Sequence, residues 1–191
     1  MPRQLVWTGF MTLDGVVDSP GGAVEGHPGG GWVLRTPFVP ESFALKAEEL
    51  EETSALMFGR RSYEAFASTW PGSEDHIAYR DLPKYVVSRS LGEEALVDGW
   101  GPQHILRTTE DVAALKQTEG GAIFIHGSAE LARNLAHADL VDRYNLLVFP
   151  VLLGSGKSVF SRSDEDGRQL ALRESEAYSN GVLKALYDVV R

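Results

Sequence analysis

The sequence predicts an α/β fold with a central, mostly parallel sheet, helices on both faces and a C-terminal antiparallel hairpin. A short apolar strand, a polar or glycine turn and an amphipathic helix recur along the chain, which is typical of parallel sheets with crossover helices. Near the end, two alternating segments are joined by Asn180-Gly181, the strongest short signal for a hairpin. These two observations together predict a sheet that is parallel first and antiparallel last.

The first elements are a strand, a loop and a helix. Residues 5–13 are rich in strand-forming side chains, and Asp14-Gly15 provides the turn that ends the strand. Residues 21–31 include six glycines and one proline, so we expect a mobile loop there. Residues 41–53 have apolar side chains at helical spacing opposite a glutamate-rich side, which predicts an amphipathic helix.

The later elements repeat the strand, turn and helix pattern and then end in the hairpin. The predicted strands are 54–58, 84–88, 104–107, 122–127 and 144–154, the helices are 60–70, a threonine-capped 110–117 and 128–138, and the hairpin strands are 168–178 and 182–190. No linker or internal repeat interrupts this order, so residues 1–191 are expected to form one domain.

Composition excludes several classes of function. A formal net charge of −9 argues against a nucleic-acid partner, because phosphate neutralisation needs clustered lysine and arginine. No window approaches the roughly 18–20 apolar residues of a membrane span, and the first ten residues lack a secretory leader, so a cytoplasmic protein without a membrane partner is expected. The absence of cysteine excludes disulfides, thiolate metal sites and cysteine nucleophiles. No two histidines are four residues apart, so no metal site is expected.

Residues 154–158 read Gly-Ser-Gly-Lys-Ser and are similar to the end of a phosphate-binding P-loop. A P-loop needs a glycine where this chain has Val151, and the residues after Ser158 do not begin a helix. We therefore expect a glycine-rich bend that follows a strand. A P-loop phosphotransferase acting through Lys157 is the less favoured alternative.

Three predicted strand ends carry residues suited to binding an anion. The residues are Gly59, Arg60, Arg61 and Ser62 at one strand end, Ser88 and Arg89 at the next, and His126, Gly127, Ser128, Ala129 and Glu130 at the third. Helix N-termini at such places offer free backbone N–H groups and a favourable dipole, and open α/β sheets bind ligands there. Gly127 would allow close backbone approach, and Ser128 is placed to cap the following helix. Taken singly, each is also compatible with an ordinary helix start.

Asp14 is the best single candidate for a catalytic group. It ends the first strand at the ligand-binding edge of the sheet, beside the glycine-rich loop, where it could orient or protonate a substrate. A turn-forming Asp-Gly pair without chemistry is the alternative.

The segments FMTLDGVV, FGRRSYEAF, KYVVSRSL, IFIHGSAELARNL and PVLLGSGKSVF, in this order, resemble the dihydrofolate-reductase-like family, in particular the reductase domain of bifunctional riboflavin-biosynthesis enzymes. The resemblance spans nearly the whole chain and implies NADPH as cofactor. It places residues 59–62 at the cofactor phosphates, 88–89 near the adenosine 2′-phosphate and 126–130 at the pyrophosphate, and it adds Val17 to the cofactor-binding set. The 21–31 loop would close over the nicotinamide.

The resemblance also implies hydride transfer to a small heterocyclic or ribosylamino-pyrimidine-like substrate, and a homodimer. Dihydrofolate reductases orient the pterin with a carboxylate on the first long helix, and counting back from Gly59 gives Phe43, with Glu41 and Glu48 as neighbours. Riboflavin reductases carry an acidic pair and a proline after the Gly-x-x-Ser/Thr turn, where this chain has only Glu64. The substrate is left open by these departures, and a non-catalytic nucleotide-binding member of the same fold is the alternative.

Overall fold

The computed structural model describes residues 2–22, 26–160 and 167–191. Within these residues, eight strands form one sheet in the order β4-β3-β2-β5-β1-β6-β8-β7. The strands are β1 (Leu5–Thr12), β2 (Thr53–Gly59), β3 (Lys84–Val87), β4 (Gln103–Leu106), β5 (Ala122–His126), β6 (Arg143–Phe149), β7 (Leu170–Ala177) and β8 (Leu183–Val189). The α-helices are α1 (Ala44–Glu52), α2 (Arg60–Ala67), α3 (Thr109–Lys116) and α4 (Ala129–His137).

Strands β1 to β6 run parallel to one another, whereas β8 is antiparallel to β6 and β7 is antiparallel to β8. The predicted mostly parallel sheet and C-terminal hairpin are therefore confirmed. The hairpin turns where expected, because Gly181 has a φ of 86° and donates its N–H to the Tyr178 carbonyl at 2.9 Å. All six parallel strands end at one edge of the sheet, called the carboxyl edge below, which is where such folds bind ligands.

Helices cover both faces of the sheet. On one face, Val112 of α3 and Leu131 of α4 belong to a core that includes Trp7 and Met57. On the other face, Tyr63 of α2 packs in a second core. The strand residues of this core alternate along the chain with those of the first core, because successive side chains of a strand point to opposite faces of the sheet. Because the central strands are buried on both faces, they are almost continuously apolar. No helix of the described residues is long and apolar enough to cross a membrane.

Two elements end earlier than the sequence pattern predicted. The helix expected at 60–70 ends at Ala67, because Pro71 has no N–H to donate to the Ala67 carbonyl and its ring would clash with that carbonyl in a continued helix. The strand expected at 144–154 ends just before Pro150, which has no N–H to extend the ladder. In both places a proline decides the boundary.

Candidate functional site

The turns that follow β2 and β5 are joined by hydrogen bonds at the carboxyl edge, because these strands are neighbours in the sheet. The Gly59 N–H donates to Ser128 Oγ at 2.9 Å, and the Ser128 N–H donates to Ser62 Oγ at 2.9 Å. The Ser128 hydroxyl in turn donates to the His126 carbonyl at 3.2 Å. Four residues singled out from two distant segments of the sequence thus form one connected unit.

The backbone at Gly127 and Ser128 is left-handed, with φ of 58° and 54°. A Cβ on Gly127 would lie 3.2 Å from Ser62 Oγ, so glycine also provides room for the neighbouring turn. A left-handed serine carries a conformational cost, and such residues cluster at functional sites. Its hydroxyl is directed into the β2–α2 turn and makes no capping bond to α4, so the prediction that Ser128 caps this helix is wrong.

The three helix starts at the carboxyl edge differ in how they are capped. For α3, Thr108 accepts from the Asp111 N–H at 3.2 Å and the Asp111 carboxylate accepts from the Thr108 N–H at 3.0 Å, which confirms the predicted threonine cap. Neither α2 nor α4 has a side-chain cap. In the described structure, the first-turn N–H groups of α2 and α4 are thus left for a ligand.

Arginines occupy the first turn of α2, which contains no acidic residue. Positive side chains at a helix N-terminus oppose the helix dipole and are unfavourable there without an anion. Arg60 is held by Glu64 at 2.7 Å and by Ser90 at 2.9 Å, whereas the exposed Arg61 makes no hydrogen bond to another described residue. An anion between the starts of α2 and α4 would satisfy both the free N–H groups and the arginines. The site therefore fits a phosphate.

The segment after β3 is shaped by two residues with different roles. Ser88 Oγ accepts from the backbone N–H groups of Ser90 at 3.3 Å and Leu91 at 3.0 Å. Arg107 donates to the carbonyls of Ser88 at 2.9 Å and Leu91 at 2.7 Å. Ser88 and Arg107 thus fix this turn, while Arg89 stays exposed and acts electrostatically on Glu110 at the start of α3. Arg107 was not identified from the sequence, although it follows β4 as Arg89 follows β3.

His126 ends β5 among aromatic side chains at the same edge. Its ring centroid lies 5.6 Å from that of Trp70 and 5.7 Å from that of Tyr79, both in edge-on arrangements. Burial lowers the pKa of His126 to about 3, and the positive charge of Lys46 adds to the effect. His126 is therefore neutral near pH 7.

A buried polar cluster lies at the middle of the sheet, under α1. Thr8 of β1 pairs with His126 of β5 on one side and with Asn145 of β6 on the other. Glu49, which is 2% exposed, accepts from Thr8 Oγ1 at 2.6 Å, from Asn145 Nδ2 at 2.8 Å and from Lys46 Nζ at 3.0 Å. The cluster adjoins the end of β5 and so borders the candidate phosphate site.

Asp14 is exposed and joins the end of β1 to the segment after β6. Its carboxylate accepts from Thr12 Oγ1 at 2.5 Å, from the Gly154 N–H at 2.6 Å and from the Leu153 N–H at 3.1 Å. The Thr12 hydroxyl, followed by the Gly154 N–H, holds the pKa of Asp14 below its usual value. This geometry favours a tether, and the catalytic role expected for Asp14 stays a prediction.

The Gly-Ser-Gly-Lys-Ser segment packs against the loop that follows β1. Partly buried Val17 donates its N–H to the Lys157 carbonyl at 2.8 Å, and Lys157 Nζ pairs with Asp18 at 2.9 Å. This irregular segment confirms the predicted glycine-rich bend, although residues 161–166 lie outside the described part. Residues 23–25 of the predicted 21–31 loop also lie outside it.

Comparison with known proteins decides the family. A family profile described as the RibD C-terminal domain matches residues 3–184. The chain belongs to the RibD C-terminal domain family. This RibD C-terminal domain is 26% identical over 195 residues to the uncharacterized protein YyaP of Bacillus subtilis (strain 168), covering 97% of this chain and 94% of that protein. The family resemblance predicted from the sequence is confirmed.

Solved structures show the same fold. A candidate riboflavin biosynthesis protein from Shewanella sp. PV-4 superposes with a TM-score of 0.74 at 20% identity, and both chains are covered in full. Dihydrofolate reductase from Enterococcus faecalis, in complex with NADP(H) and RAB-propyl, superposes with a TM-score of 0.63 at 13% identity, again over both full chains. The predicted dihydrofolate-reductase-like fold is confirmed, and family and fold together support a reductase-like function.

Glu49 is the buried carboxylate on the first helix of this RibD C-terminal domain, and the sequence analysis did not single it out. Counting back from Gly59 had pointed to Phe43. The signal was nevertheless present, because Glu49 lies four residues after Leu45 on the buried stripe of α1. A glutamate on an apolar helix stripe needs a buried partner, and Lys46 and Asn145 supply it.

Proposed function

We propose that this RibD C-terminal domain is an NADPH-dependent reductase that acts on a small heterocyclic, ribosylamino-pyrimidine-like substrate. The observation that carries the proposal is the pair of adjoining, uncapped helix N-termini, those of α2 and α4, with arginines in the first turn of α2. The family match and the likeness to an NADP(H)-bound dihydrofolate reductase support it.

The order of strands sets the expected order of cofactor contacts. Arg89 follows β3, the two helix starts follow β2 and β5, and Thr8 lies on β1, which are consecutive in the sheet. Neighbouring strands are about 4.8 Å apart, so these positions span about 14 Å along the carboxyl edge. Arg89 would hold the 2′-phosphate, the α2 and α4 N-termini the pyrophosphate, and the β5–β1 region the nicotinamide.

The chain itself supplies binding, orientation and exclusion of water. When bound, NADPH provides the hydride. Ser128 keeps the two proposed phosphate-binding turns together through its contacts to Gly59 and Ser62. Asp14 fixes the segment at Leu153 and Gly154 beside the end of β1, which would limit solvent access to the reaction.

Binding and turnover measurements test this proposal separately. We expect NADPH to quench the tryptophan fluorescence of the purified chain on binding, with NADH binding more weakly at the same salt concentration. We also expect oxidation of NADPH, followed by its absorbance, with a member of a panel of pyrimidine and pteridine substrates. Binding of neither cofactor would exclude a reductase, whereas tight NADPH binding without oxidation would favour the non-catalytic alternative.

A further inference from the structure

A cavity of about 150 Å³ lies between α4 and the C-terminal part of the sheet. It is bordered by Tyr144, the second residue of β6, and by α4 from Arg133 onward, so it lies away from the carboxyl edge and from the start of α4. Its lining contains Arg133, His137 and Arg168 and no acidic residue, although the chain has a formal net charge of −9. A cavity that concentrates basic side chains in an acidic protein is suited to an anion.

Tyr144 contributes a hydroxyl group to the wall of this cavity. The residue is only 5% exposed, and its hydroxyl makes no hydrogen bond to any residue that the structure describes. Buried hydroxyls in proteins normally have a hydrogen-bond partner. Burial raises the pKa of Tyr144 and the positive charge of Arg168 opposes that rise, so the hydroxyl is protonated near pH 7. Tyr144 can therefore donate its O–H to a ligand beside the Arg168 guanidinium.

The two arginines of the cavity are held in place and keep donors for a ligand. Arg133 donates to the Ser158 carbonyl at 2.9 Å, which is its one hydrogen bond to a described residue, whereas a guanidinium has five N–H donors. Arg168 donates to Asp139 at 2.5 Å. Asp139 also pairs with Arg191 at 3.3 Å, so one carboxylate is shared between two guanidinium groups. Positive charge therefore exceeds negative charge on the polar side of the cavity.

The other side of the cavity is apolar. It is formed by Val159, Phe160, Leu170 and the ring of Tyr144. The rings of Tyr144 and Phe160 are tilted against each other with their centroids 5.5 Å apart, and Val159 is 2% exposed. An apolar protein cavity of roughly 150 Å³ accommodates one benzene molecule. The cavity thus has room for a single six-membered ring or an aliphatic group of similar size.

We propose that this cavity binds a small carboxylate with an apolar body of about one ring, at a site separate from the cofactor. The apolar body packs against Phe160 and Leu170, and the carboxylate accepts hydrogen bonds from Arg133, Arg168 and Tyr144. Charge-assisted hydrogen bonds to guanidinium groups select the anion over a neutral molecule of the same shape. The proposal is independent of the proposed reductase function, because no lining residue belongs to the candidate phosphate site.

Benzoate and benzamide test the proposal, because they have the same ring and nearly the same shape but only benzoate is charged. Binding of each to the full chain is measured by isothermal titration calorimetry for wild type, Arg133→Met, Arg168→Met and Tyr144→Phe. Arg80→Met is the matched control. Like Arg168, Arg80 is paired with an aspartate, but it precedes β3 on the opposite side of the sheet from β7.

Wild type and Arg80→Met are expected to bind benzoate about 10- to 100-fold more tightly than benzamide. Arg133→Met and Arg168→Met should each remove most of this preference by weakening benzoate binding alone. Tyr144→Phe should weaken benzoate binding by about 2- to 10-fold, and it tests the site if an arginine variant does not fold.

The proposal is overturned if wild type does not prefer benzoate, or if either folded arginine variant binds benzoate as tightly as wild type. It is also overturned if NADP⁺ displaces benzoate, because the anion would then lie in the cofactor site. Failure of wild type to bind NADP⁺ would count against the reductase alone, and the comparison of benzoate with benzamide would still decide the proposal.

Discussion

The backbone N–H of Gly59 and the hydroxyl of Ser128 are joined by a hydrogen bond of 2.9 Å, which closes the turn after β2 onto the turn after β5. This contact accounts for two unusual features. Ser128 adopts a left-handed backbone conformation, and α4 begins without a side-chain cap. A local arrangement that lowers stability and leaves a helix N-terminus open is expected at a binding site.

Replacement of Ser128 tests this arrangement through stability. Ser128→Ala would leave the partly buried Gly59 N–H without its acceptor, at a cost of about 1–3 kcal/mol, and would keep the left-handed backbone. Ser128→Gly loses the same bond but relieves about 1–2 kcal/mol of backbone cost. We expect urea unfolding to rank Ser128→Ala below both wild type and Ser128→Gly. Ser175→Ala, on the exposed strand β7, should stay within about 0.5 kcal/mol of wild type. Wild-type stability in Ser128→Ala would refute the bridging role.

Two exposed arginines should affect the cofactors differently. Arg89→Ala should weaken NADPH binding by about 10- to 100-fold and leave NADH binding unchanged, because only NADPH carries the 2′-phosphate. Arg61→Ala should weaken both cofactors, because both carry the pyrophosphate expected at the start of α2. Fluorescence titrations at fixed salt measure both effects.

The control for these variants is Arg173→Ala. Arg173 lies on β7 and pairs with Asp188 at 3.5 Å, at the far side of the sheet from β3. Its removal should leave both affinities unchanged. Equal losses of NADPH and NADH affinity in Arg89→Ala would show that Arg89 does not contact the 2′-phosphate.

Asp14→Asn should act mainly on stability. Because the pKa of Asp14 is lowered in the folded protein, its carboxylate stabilises the fold at pH values above 3.8, which is the ordinary pKa. This contribution is lost as the pH falls through the lower pKa of the folded state. The stability difference between wild type and Asp14→Asn should therefore be constant near neutral pH and shrink below pH 3.8. Turnover should fall only slightly, because the segment at Leu153 and Gly154 is held less firmly over the site. A fall in turnover of about 10²- to 10⁴-fold with unchanged stability would instead support the catalytic role.

His126 should make the fold sensitive to mild acid. Its pKa is about 3 in the folded state and 6.5 as a free side chain, so the unfolded chain takes up the proton first as the pH falls. Stability that is present above pH 6.5 is lost progressively between pH 6.5 and 3. His126→Phe keeps an aromatic ring and removes this titration. Urea unfolding at pH 7.5 and 5.0 should show a larger loss for wild type than for His126→Phe, and equal losses would contradict the prediction.

The fold could be predicted from local sequence because each parallel strand is a continuous apolar run that ends in a turn. In this way the ends of β2 and β5 were predicted to within one or two residues of their observed positions. The extent of β6 was overestimated because Pro150 is flanked by apolar residues on both sides. Apolarity alone cannot show where a ladder stops, whereas a missing N–H can.

The candidate phosphate site was also predictable, since the carboxyl ends of parallel strands must meet at one edge. The cluster around Glu49 could not be predicted from the sequence. Its members Thr8, Lys46 and Asn145 come from three separate segments, and no rule of sequence spacing connects these segments. The direction of the Ser128 hydroxyl was unpredictable for the same reason. It depends on the pairing of β2 with β5, which is non-local.

A crystal structure of the chain with NADP⁺ would show directly whether the starts of α2 and α4 bind the cofactor. We expect pyrophosphate oxygens about 2.7–3.2 Å from first-turn backbone nitrogens of α2 or α4, with the 2′-phosphate beside Arg89. A dinucleotide whose pyrophosphate lies away from both helix starts would contradict this expectation.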